Sequence, residues 1–169
     1  MSYPYGAKVE ITDFDSKVGG GGVNTAVNFS NLGYNTSAIF KIGDDIYSDG
    51  ILESFKDKKV DLSNIVQDKK VSTGFSIILV SFQGDRTVLA HRGANAQIKK
   101  SDINFDAIKN AKLLYIAPMN GDSTKVLDDI ANFAGENNVY VCFNAGSSSI
   151  KKGFNYLKKI LENANIVCL

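Results

Sequence analysis

Four consecutive glycines, Gly19 to Gly22, stand where the backbone itself could bind a ligand. Because glycine has no Cβ, these residues can adopt positive φ angles and let a ligand approach the main chain directly. The apolar spacing that follows predicts a helix, whose first turn would offer unpaired N–H groups and a partial positive charge. Asn24 adds a side-chain amide that both donates and accepts hydrogen bonds. Together these residues suit a ligand rich in hydroxyl groups.

Two other interpretations of the glycine run stay open at this point. A flexible tight turn ahead of an amphipathic helix needs no ligand, since glycine is a common turn residue. A dinucleotide site needs a strand directly before the glycines and an acidic residue about twenty residues further on. Asp44 and Asp45 lie near that distance, but residues 15–18 make a poor buried strand.

The composition is that of an ordinary globular domain. The 169 residues are 44% hydrophobic and 22% charged, with a formal net charge of +1. No block of Lys and Arg resembles a nucleic-acid footprint. No run approaches the roughly 18 apolar residues of a membrane helix, and the N-terminus lacks the features of a signal peptide. We therefore expect a cytoplasmic protein with no nucleic-acid or membrane partner.

Few side chains are candidates for metal or redox chemistry. Cys142 and Cys168 each lie in an apolar, strand-like run, which favours reduced core residues over metal ligands. His91 is the only histidine, so a histidine-based catalytic pair or zinc site is unsupported. Asp44 and Asp45 could be metal ligands, but their place before a predicted helix favours capping.

Helix-like and strand-like patterns alternate from Gly22 onward, which predicts parallel βαβ units with right-handed crossovers. The predicted strands are 8–12, 36–42, 111–117, 139–143 and 165–169. The predicted helices are 25–32, 47–58, one capped by Ser101, one capped by Ser123, and 151–163. The β-rich runs 73–82 and 86–91 flank a Gly-Asp turn and predict a hairpin.

The glycine run belongs to a longer pattern. Gly19-Gly20-x-Gly22-x-Asn24-x-Ala26, followed by Gly33 and Gly43, resembles the N-terminal signature of the ribokinase-like (PfkB) carbohydrate kinase family. This resemblance implies an α/β fold: a Rossmann-like, three-layer parallel sheet with a small β-sheet lid, here incomplete. Residues 1–169 would form one partial domain. Its lid strands are expected at about 7–22 and 73–92, and its α/β core segments at 23–72 and 93–169.

The resemblance also implies residues that bind the substrate. In the family the glycine pair and the Asn line the substrate pocket, which implies Gly20, Gly21 and Asn24 here. The position of Arg92 often faces the sugar, and an Arg there is similar to a carboxylate clamp in members that act on sugar acids. Asn120 follows a predicted strand, near a polar or acidic sugar contact of the family. An amide there departs from the ribokinase version.

One residue is implied on the phosphate or nucleotide side. The family has Asn-Pro at the end of the strand that corresponds to 139–143. Asn144 matches this pattern and Ala145 replaces the proline, so only Asn144 is carried over.

The implied activity is phosphorylation of a hydroxyl of a sugar or nucleoside-like substrate, with ATP and Mg²⁺ as cofactors. The family's Gly-Ala-Gly-Asp motif, which holds the catalytic base, and its magnesium-associated Asn-x-x-Glu segment do not occur in these residues. No catalytic residue or metal ligand is therefore assigned, and the 169-residue chain alone is expected to be inactive. The resemblance covers about the first half of a typical member.

Two further expectations concern partners and alternatives. An exposed lid sheet favours a homodimer that forms through the lid, because uncovered strand edges and apolar faces bind partners. A non-catalytic sugar-binding module derived from such a kinase is an alternative, as is a dinucleotide-binding fragment of an oxidoreductase.

Overall fold

The computed structural model describes residues 5–81 and 83–169. The helices are α1 (Gly21–Asn31), α2 (Ile46–Ser54), α3 (Phe105–Lys109), α4 (Leu127–Glu136), α5 (Gly146–Ile150) and α6 (Phe154–Asn163). The strands are β1 (Thr36–Ser37), β2 (Lys41–Gly43), β3 (Val60–Asp61), β4 (Val66–Asp68), β5 (Phe75–Val80), β6 (Arg86–His91), β7 (Leu113–Ile116), β8 (Tyr140–Asn144) and β9 (Ile166–Cys168). Short 3₁₀ turns lie at Gly93–Ala96, Lys100–Asp102 and Gly121–Val126.

Parallel strand pairs dominate the fold. β7, β8 and β9 form a three-stranded parallel sheet in that order. Strand β1 pairs with β3 and β2 with β4, also in parallel, so the segments 36–43 and 60–68 run side by side. The helices between these strands are the crossovers that parallel pairing requires. The predicted α/β class is therefore confirmed.

The main core lies between the three-stranded sheet and the helices α4 and α6. The side chains of Val141, Phe143 and Ile160 are almost completely buried there. Their positions follow from the period-2 alternation of a strand and the 3.6-residue repeat of a helix. A smaller cluster around Ala26, Ala38 and Phe55 packs α1 against the 36–43 segment.

The predicted hairpin is present as β5 and β6. The two strands are antiparallel, with Phe75 opposite His91 and Val80 opposite Arg86. Both faces of the hairpin carry exposed apolar side chains, including Ile77, Ile78, Val80, Val88 and Leu89. The prediction extended the first strand to Phe82, which lies outside the described residues, as do residues 1–4 of the predicted domain.

The predicted strand at 8–12 is wrong. Residues 7–20 contain no helix or strand and are all exposed, and Gly21 and Gly22 already belong to α1. The reason is that alternation defines a strand only where a neighbouring strand pairs with it. No backbone hydrogen bond links residues 7–19 to another strand within the described parts of the chain.

Two predicted helix caps are also wrong. Asn104, not Ser101, caps α3, since its Oδ1 accepts a hydrogen bond from Ala107 N at 3.1 Å. Ser123 lies in a 3₁₀ turn instead of capping a helix. Its buried hydroxyl accepts from Ile98 N at 2.8 Å and donates to Asn95 O at 2.7 Å. Because this hydroxyl already forms hydrogen bonds with the backbone of the neighbouring loop, it cannot also cap the N-terminus of a helix.

Two predicted elements have different bounds in the structure. The predicted helix 151–163 corresponds to α6, which begins only at Phe154 because Gly153 before it is at φ 84°, and the short helix α5 was not predicted. The predicted strand 36–42 is divided into β1 and β2. Within the described residues, none of the helices has both the length and the apolar character needed to cross a bilayer.

Candidate functional site

The glycine run forms the N-terminus of α1. Gly20 is the N-cap residue at φ 96° and ψ 147°, a conformation that residues with a Cβ rarely adopt. No side chain caps the helix, so the first N–H groups of α1 point outward without an intrahelical partner. Residues 13–20 form no strand, whereas a dinucleotide fingerprint requires one directly before its glycines.

The glycine turn packs against the carboxyl end of β7. A Cβ added to Gly21 would lie 3.5 Å from Pro118 Cδ and 3.8 Å from Ala117 Cβ. On the other side of Pro118, a Cβ on Gly146 would lie 2.7 Å from the proline Cβ. Gly146 also has a φ of 64° and begins α5, directly after β8. Pro118 therefore lies between two glycine turns at the ends of neighbouring parallel strands, where open α/β sheets bind ligands.

Two predicted site residues lie at this same edge. Asn120 follows β7, and its Oδ1 accepts a hydrogen bond from Ser148 Oγ at 2.8 Å. Asn144 ends β8, and its Nδ2 donates to Tyr115 Oη at 3.0 Å. Both asparagines are half-buried. Within the described residues, no group accepts a hydrogen bond from Asn120 Nδ2. The edge thus holds at least one available amide donor.

Arg92 lies at the base of the hairpin, where the chain returns to the sheet. It is exposed, and within the described residues it forms no ion pair with a carboxylate. The turn after it is tightly held, because Ala94 N donates to Ser72 O at 2.8 Å and Gly93 is at φ 48°. An ideal Cβ on Gly74 would meet Arg92 O at 2.6 Å, so the backbones are in close contact.

The turn of Arg92 contacts the turn that follows Asn120. The Ser123 hydroxyl joins them through its bonds to Asn95 O and Ile98 N. Gly121, at φ 60°, packs so closely that an added Cβ would lie 2.8 Å from Ala96 Cβ. Sequence reasoning missed this role of Ser123, because the residue also fits the start of a helix.

Asn24 occupies a different position. It is exposed on α1 and borders an open groove of about 360 Å³ between α1 and the end of α2. The other residues that line this groove are Val18, Val23, Val27, Asn28, Ser54 and Lys58. The Asn24 side chain makes no hydrogen bond to another predicted site residue in the described part of the chain. The structure therefore packs the turn of Gly20 and Gly21 against Pro118, at the edge where Asn120 and Asn144 follow their strands. It links Arg92 to this edge through the 93–98 turn and leaves Asn24 at the groove.

A buried lysine supports the 93–102 segment. Lys41 is only 4% exposed, and its Nζ lies 3.1 Å from Asp68 Oδ2, 3.2 Å from Asp102 Oδ2 and 3.3 Å from Gln97 O. Burial alone would lower the pKa of Lys41, but the hydrogen bonds and charges of the two carboxylates outweigh it and raise the pKa. In the sequence, Lys41 is the only charged residue of the predicted strand 36–42, which could have indicated a buried ion pair.

Asp45 connects α2 to the base of the hairpin, which confirms its predicted capping role. Its Oδ1 accepts from Tyr47 N and Ser48 N, and its Oδ2 accepts from Thr73 N at 2.7 Å. The bond from the Thr73 N–H is the main reason that the pKa of Asp45 is lowered. The same prediction is wrong for Asp44, which is exposed and accepts a hydrogen bond from Gln67 Nε2 instead of capping α2.

The described residues offer no metal cluster. Across 5–81 and 83–169, no three His, Cys, Asp or Glu side chains are grouped to hold a metal ion. The edge offers helix N–H groups and asparagine amides instead, and Arg92 at the base of the hairpin adds a guanidinium that pairs with no carboxylate in the described residues. These groups bind hydroxyls and anions.

Comparison with known proteins gives one consistent family. The sequence pattern described as "pfkB family carbohydrate kinase" matches residues 2–169. The ribokinase of Staphylococcus aureus is 34% identical over 109 residues, which are 63% of this chain and 36% of that protein. The 5-dehydro-2-deoxygluconokinase of Geobacillus thermodenitrificans is 31% identical over 111 residues, 64% of this chain and 33% of that protein.

The fold agrees with this family. The structure of Arabidopsis thaliana ribokinase in complex with ribose and ATP superposes with a TM-score of 0.81 at 19% identity. It covers 97% of this chain, and the chain covers 52% of it. The ribokinase-like fold expected from the glycine signature is therefore confirmed. The chain spans about a third of the length of the curated relatives that it matches and about half of the solved structure.

Proposed function

The chain belongs to the pfkB family of carbohydrate kinases, and from this premise we propose that the intact protein phosphorylates a hydroxyl of a sugar or sugar-like substrate, with ATP as phosphate donor. The observation that supports the proposal is the packing of two glycine turns against Pro118, at the edge of the sheet where β7 and β8 end. This arrangement suits a ligand with many hydroxyl groups and a phosphate that arrives from one side.

Each group has a role in this proposal. Gly20 and Gly21 offer the sugar the backbone at the start of α1. Gly20 adopts the φ of 96° that this turn needs, and Gly21 lets the turn pack closely against Pro118. Asn120 donates its free amide to a sugar hydroxyl. Asn144 lies on the phosphate side, and Asn24 borders the pocket from α1. The hairpin β5–β6 covers the sugar as a lid and excludes water from it.

Arg92 points to a class of substrate. Its exposed guanidinium has no carboxylate partner within the described residues, and its turn is held rigidly by the 72–74 segment. A guanidinium without a partner can bind a carboxylate with two parallel hydrogen bonds. A sugar acid is therefore the substrate class to test first. One of the relatives bears the name 5-dehydro-2-deoxygluconokinase, which fits this choice.

ATP and Mg²⁺ are the proposed cofactors of the intact protein. The Arabidopsis ribokinase was solved with ATP bound, which supports the choice of nucleotide. Mg²⁺ neutralises the phosphate charges during phosphoryl transfer. The described residues contain no acidic cluster for it, so we assign no metal ligand to this chain. For the same reason, and because the Gly-Ala-Gly-Asp motif does not occur in it, we propose that the 169-residue chain alone turns over no ATP.

The hairpin also suggests how the protein associates. Neighbouring residues Val88 and Leu89 are about half exposed and project from opposite faces of β6. One face would cover the sugar and the other would contact a second copy of the chain in a cytoplasmic homodimer. Light scattering of Val88→Lys and Leu89→Lys tests this. We expect one variant to be monomeric and the other to remain a dimer, and two unchanged dimers would contradict a lid interface.

Kinetics of two glycine variants test the proposed site. In the intact protein, Gly21→Val pushes a branched side chain against Pro118 and displaces the glycine turn, so it should raise KM for the sugar at least about tenfold. Gly50→Ala lies in α2 with nothing within 4 Å of the added Cβ, so it should leave KM unchanged. Equal KM values for the two variants would contradict sugar binding at the glycine turn. Sugar binding with no phosphate transfer in the intact protein would favour the non-catalytic module.

A further inference from the structure

The two cysteines of the chain lie on neighbouring strands of the main sheet. In the parallel ladder, Cys142 of β8 is opposite Ile166, and Cys168 of β9 is opposite Asn144. Residues two apart on a strand project from the same face, so both thiols lie on one face of the sheet. Their Sγ atoms are 3.9 Å apart, and both thiols are free.

The two thiols differ in their surroundings. Cys142 is 8% exposed, whereas Cys168 is half-buried on β9. Burial, and after it the hydrogen bond to Cys168, raises the pKa of the Cys142 thiol. Because the thiolate is the reactive form, Cys142 reacts slowly with a dissolved reagent. A reagent from solution therefore meets Cys168 first and Cys142 second.

We propose that Cys142 and Cys168 are an oxidation-sensitive pair, which a hydroperoxide converts into an intrachain disulfide between β8 and β9. The Cys168 thiolate attacks the peroxide, the O–O bond breaks, and an alcohol or water leaves with a proton. Cys168 is then a sulfenic acid, oxidised by two electrons. The Cys142 sulfur attacks it, the S–S bond forms, and the S–O bond breaks. The departing hydroxide takes the Cys142 proton and leaves as water.

The geometry allows this closure. The sulfurs must approach by about 1.9 Å from their 3.9 Å separation to reach disulfide bonding distance. β9 is three residues long and pairs with β8 in the described residues. The cross-link would lie beside the end of β8, where Ala145 N donates to Cys168 O at 3.4 Å. It would therefore form next to Asn144.

Peroxide oxidation of the purified chain tests the proposal without reference to kinase activity. After hydrogen peroxide treatment, we expect both free thiols to disappear together, with the loss of two hydrogen atoms from the intact mass. Non-reducing peptide mapping should recover a Cys142–Cys168 peptide from monomeric protein, and dithiothreitol should restore both thiols. Covalent dimers, or Cys168 oxidised to sulfinic acid while Cys142 stays a thiol, would overturn the proposal.

Two single variants test the order of the steps. In Cys142→Ser the second step is blocked, so dimedone should trap a sulfenic acid on Cys168. In Cys168→Ser the remaining thiol is buried, and it should react with peroxide at least about tenfold more slowly than Cys168 does. Circular dichroism spectra of both variants confirm that they are folded. Equal rates in the two folded variants would show that Cys168 is not the entry point.

Discussion

Replacement of Lys41 by Met removes the ammonium group that links β2 to β4 and to the 93–102 segment. Lys41 Nζ contacts Asp68, Asp102 and the carbonyl of Gln97, all within 3.3 Å. Met fills a similar volume but offers no donor, so the variant leaves two carboxylates without their cation. We expect a large loss of stability from this single substitution.

The size of the loss follows from the exposure of the partners. Breaking a fully buried ion pair by removing one partner costs about 3–5 kcal/mol, because the other charge stays buried. Here the side chains of Asp68 and Asp102 are 28% and 15% exposed. Each also keeps a backbone donor, Lys70 N at 3.0 Å and Lys99 N at 2.9 Å. Partial hydration and these donors lower the expected cost to about 2–3 kcal/mol.

Urea unfolding followed by circular dichroism measures this difference, and Lys100→Met is the matched control. Lys100 pairs with Asp129 at 2.9 Å, but the two side chains are 63% and 44% exposed. Such surface pairs contribute little, so the control should lose less than about 0.5 kcal/mol. If Lys41→Met and Lys100→Met lose the same free energy of unfolding, the buried cluster does not stabilise the fold and our reasoning is wrong.

The pH dependence provides a second check on Lys41. Its raised pKa means that its contribution is complete below the ordinary lysine value of about 10.4 and is lost as pH rises through the folded-state pKa. The pKa of Asp68 is lowered, first by the Lys70 N–H and then by Lys41. Its contribution is therefore complete above the ordinary value of about 3.9 and is lost as pH falls. In Lys41→Met, the free energy of unfolding should therefore fall less than in the wild type, both at high pH and at low pH.

Other predictions concern single sites. Asp45→Ala removes a helix cap and leaves the buried Thr73 N–H unpaired, so urea unfolding should show a loss of about 2–3 kcal/mol, against less than about 0.5 kcal/mol for the exposed Asp44→Ala. Gly146→Ala should lose about 1–3 kcal/mol, since its Cβ would meet Pro118 at 2.7 Å and its φ is 64°. Gly50→Ala should gain up to about 1 kcal/mol in the same assay, because its helical position is open. In the intact protein, Arg92→Gln should raise KM for a sugar acid at least about tenfold and leave KM for a neutral sugar unchanged. A similar change in both KM values would contradict the carboxylate clamp.

Elements with a strong local signal could be predicted from the sequence. The hairpin follows from two β-rich runs around a turn, and α4 from apolar residues at helical spacing. Asp45 could be identified as a cap because it directly precedes a helical pattern. Each of these signals depends on residues close in sequence.

The errors arose where distant residues decide the outcome. The segment 8–12 alternates like a strand, but pairing requires a partner that the sequence pattern cannot supply. Ser101 and Ser123 both precede helical patterns, yet Asn104 caps α3 and Ser123 is used by a loop 25 residues away. A hydroxyl can serve either purpose, and only the tertiary structure selects one.

In the candidate site, too, local features could be predicted from the sequence and long-range contacts could not. Asn120 and Asn144 could be placed at strand ends from local pattern alone, and the family signature singled out the glycine turn. Their surroundings could not be predicted, because Ser148 and Tyr115 reach them from 28 and 29 residues away. The contact of both glycine turns with Pro118 likewise depends on how the strands are ordered in the sheet.

Transfer of the γ-phosphate of ATP is the most direct test of the central claim. The intact protein is incubated with Mg²⁺ and ATP and with a panel of pentoses, hexoses, sugar acids and nucleosides, and the products are identified by mass spectrometry. Our account predicts a phosphate ester of at least one sugar or sugar acid, and no product with the 169-residue chain alone. Failure of the intact protein to phosphorylate any compound of the panel would contradict a sugar kinase, and so would protection of the fold by NAD but by no sugar.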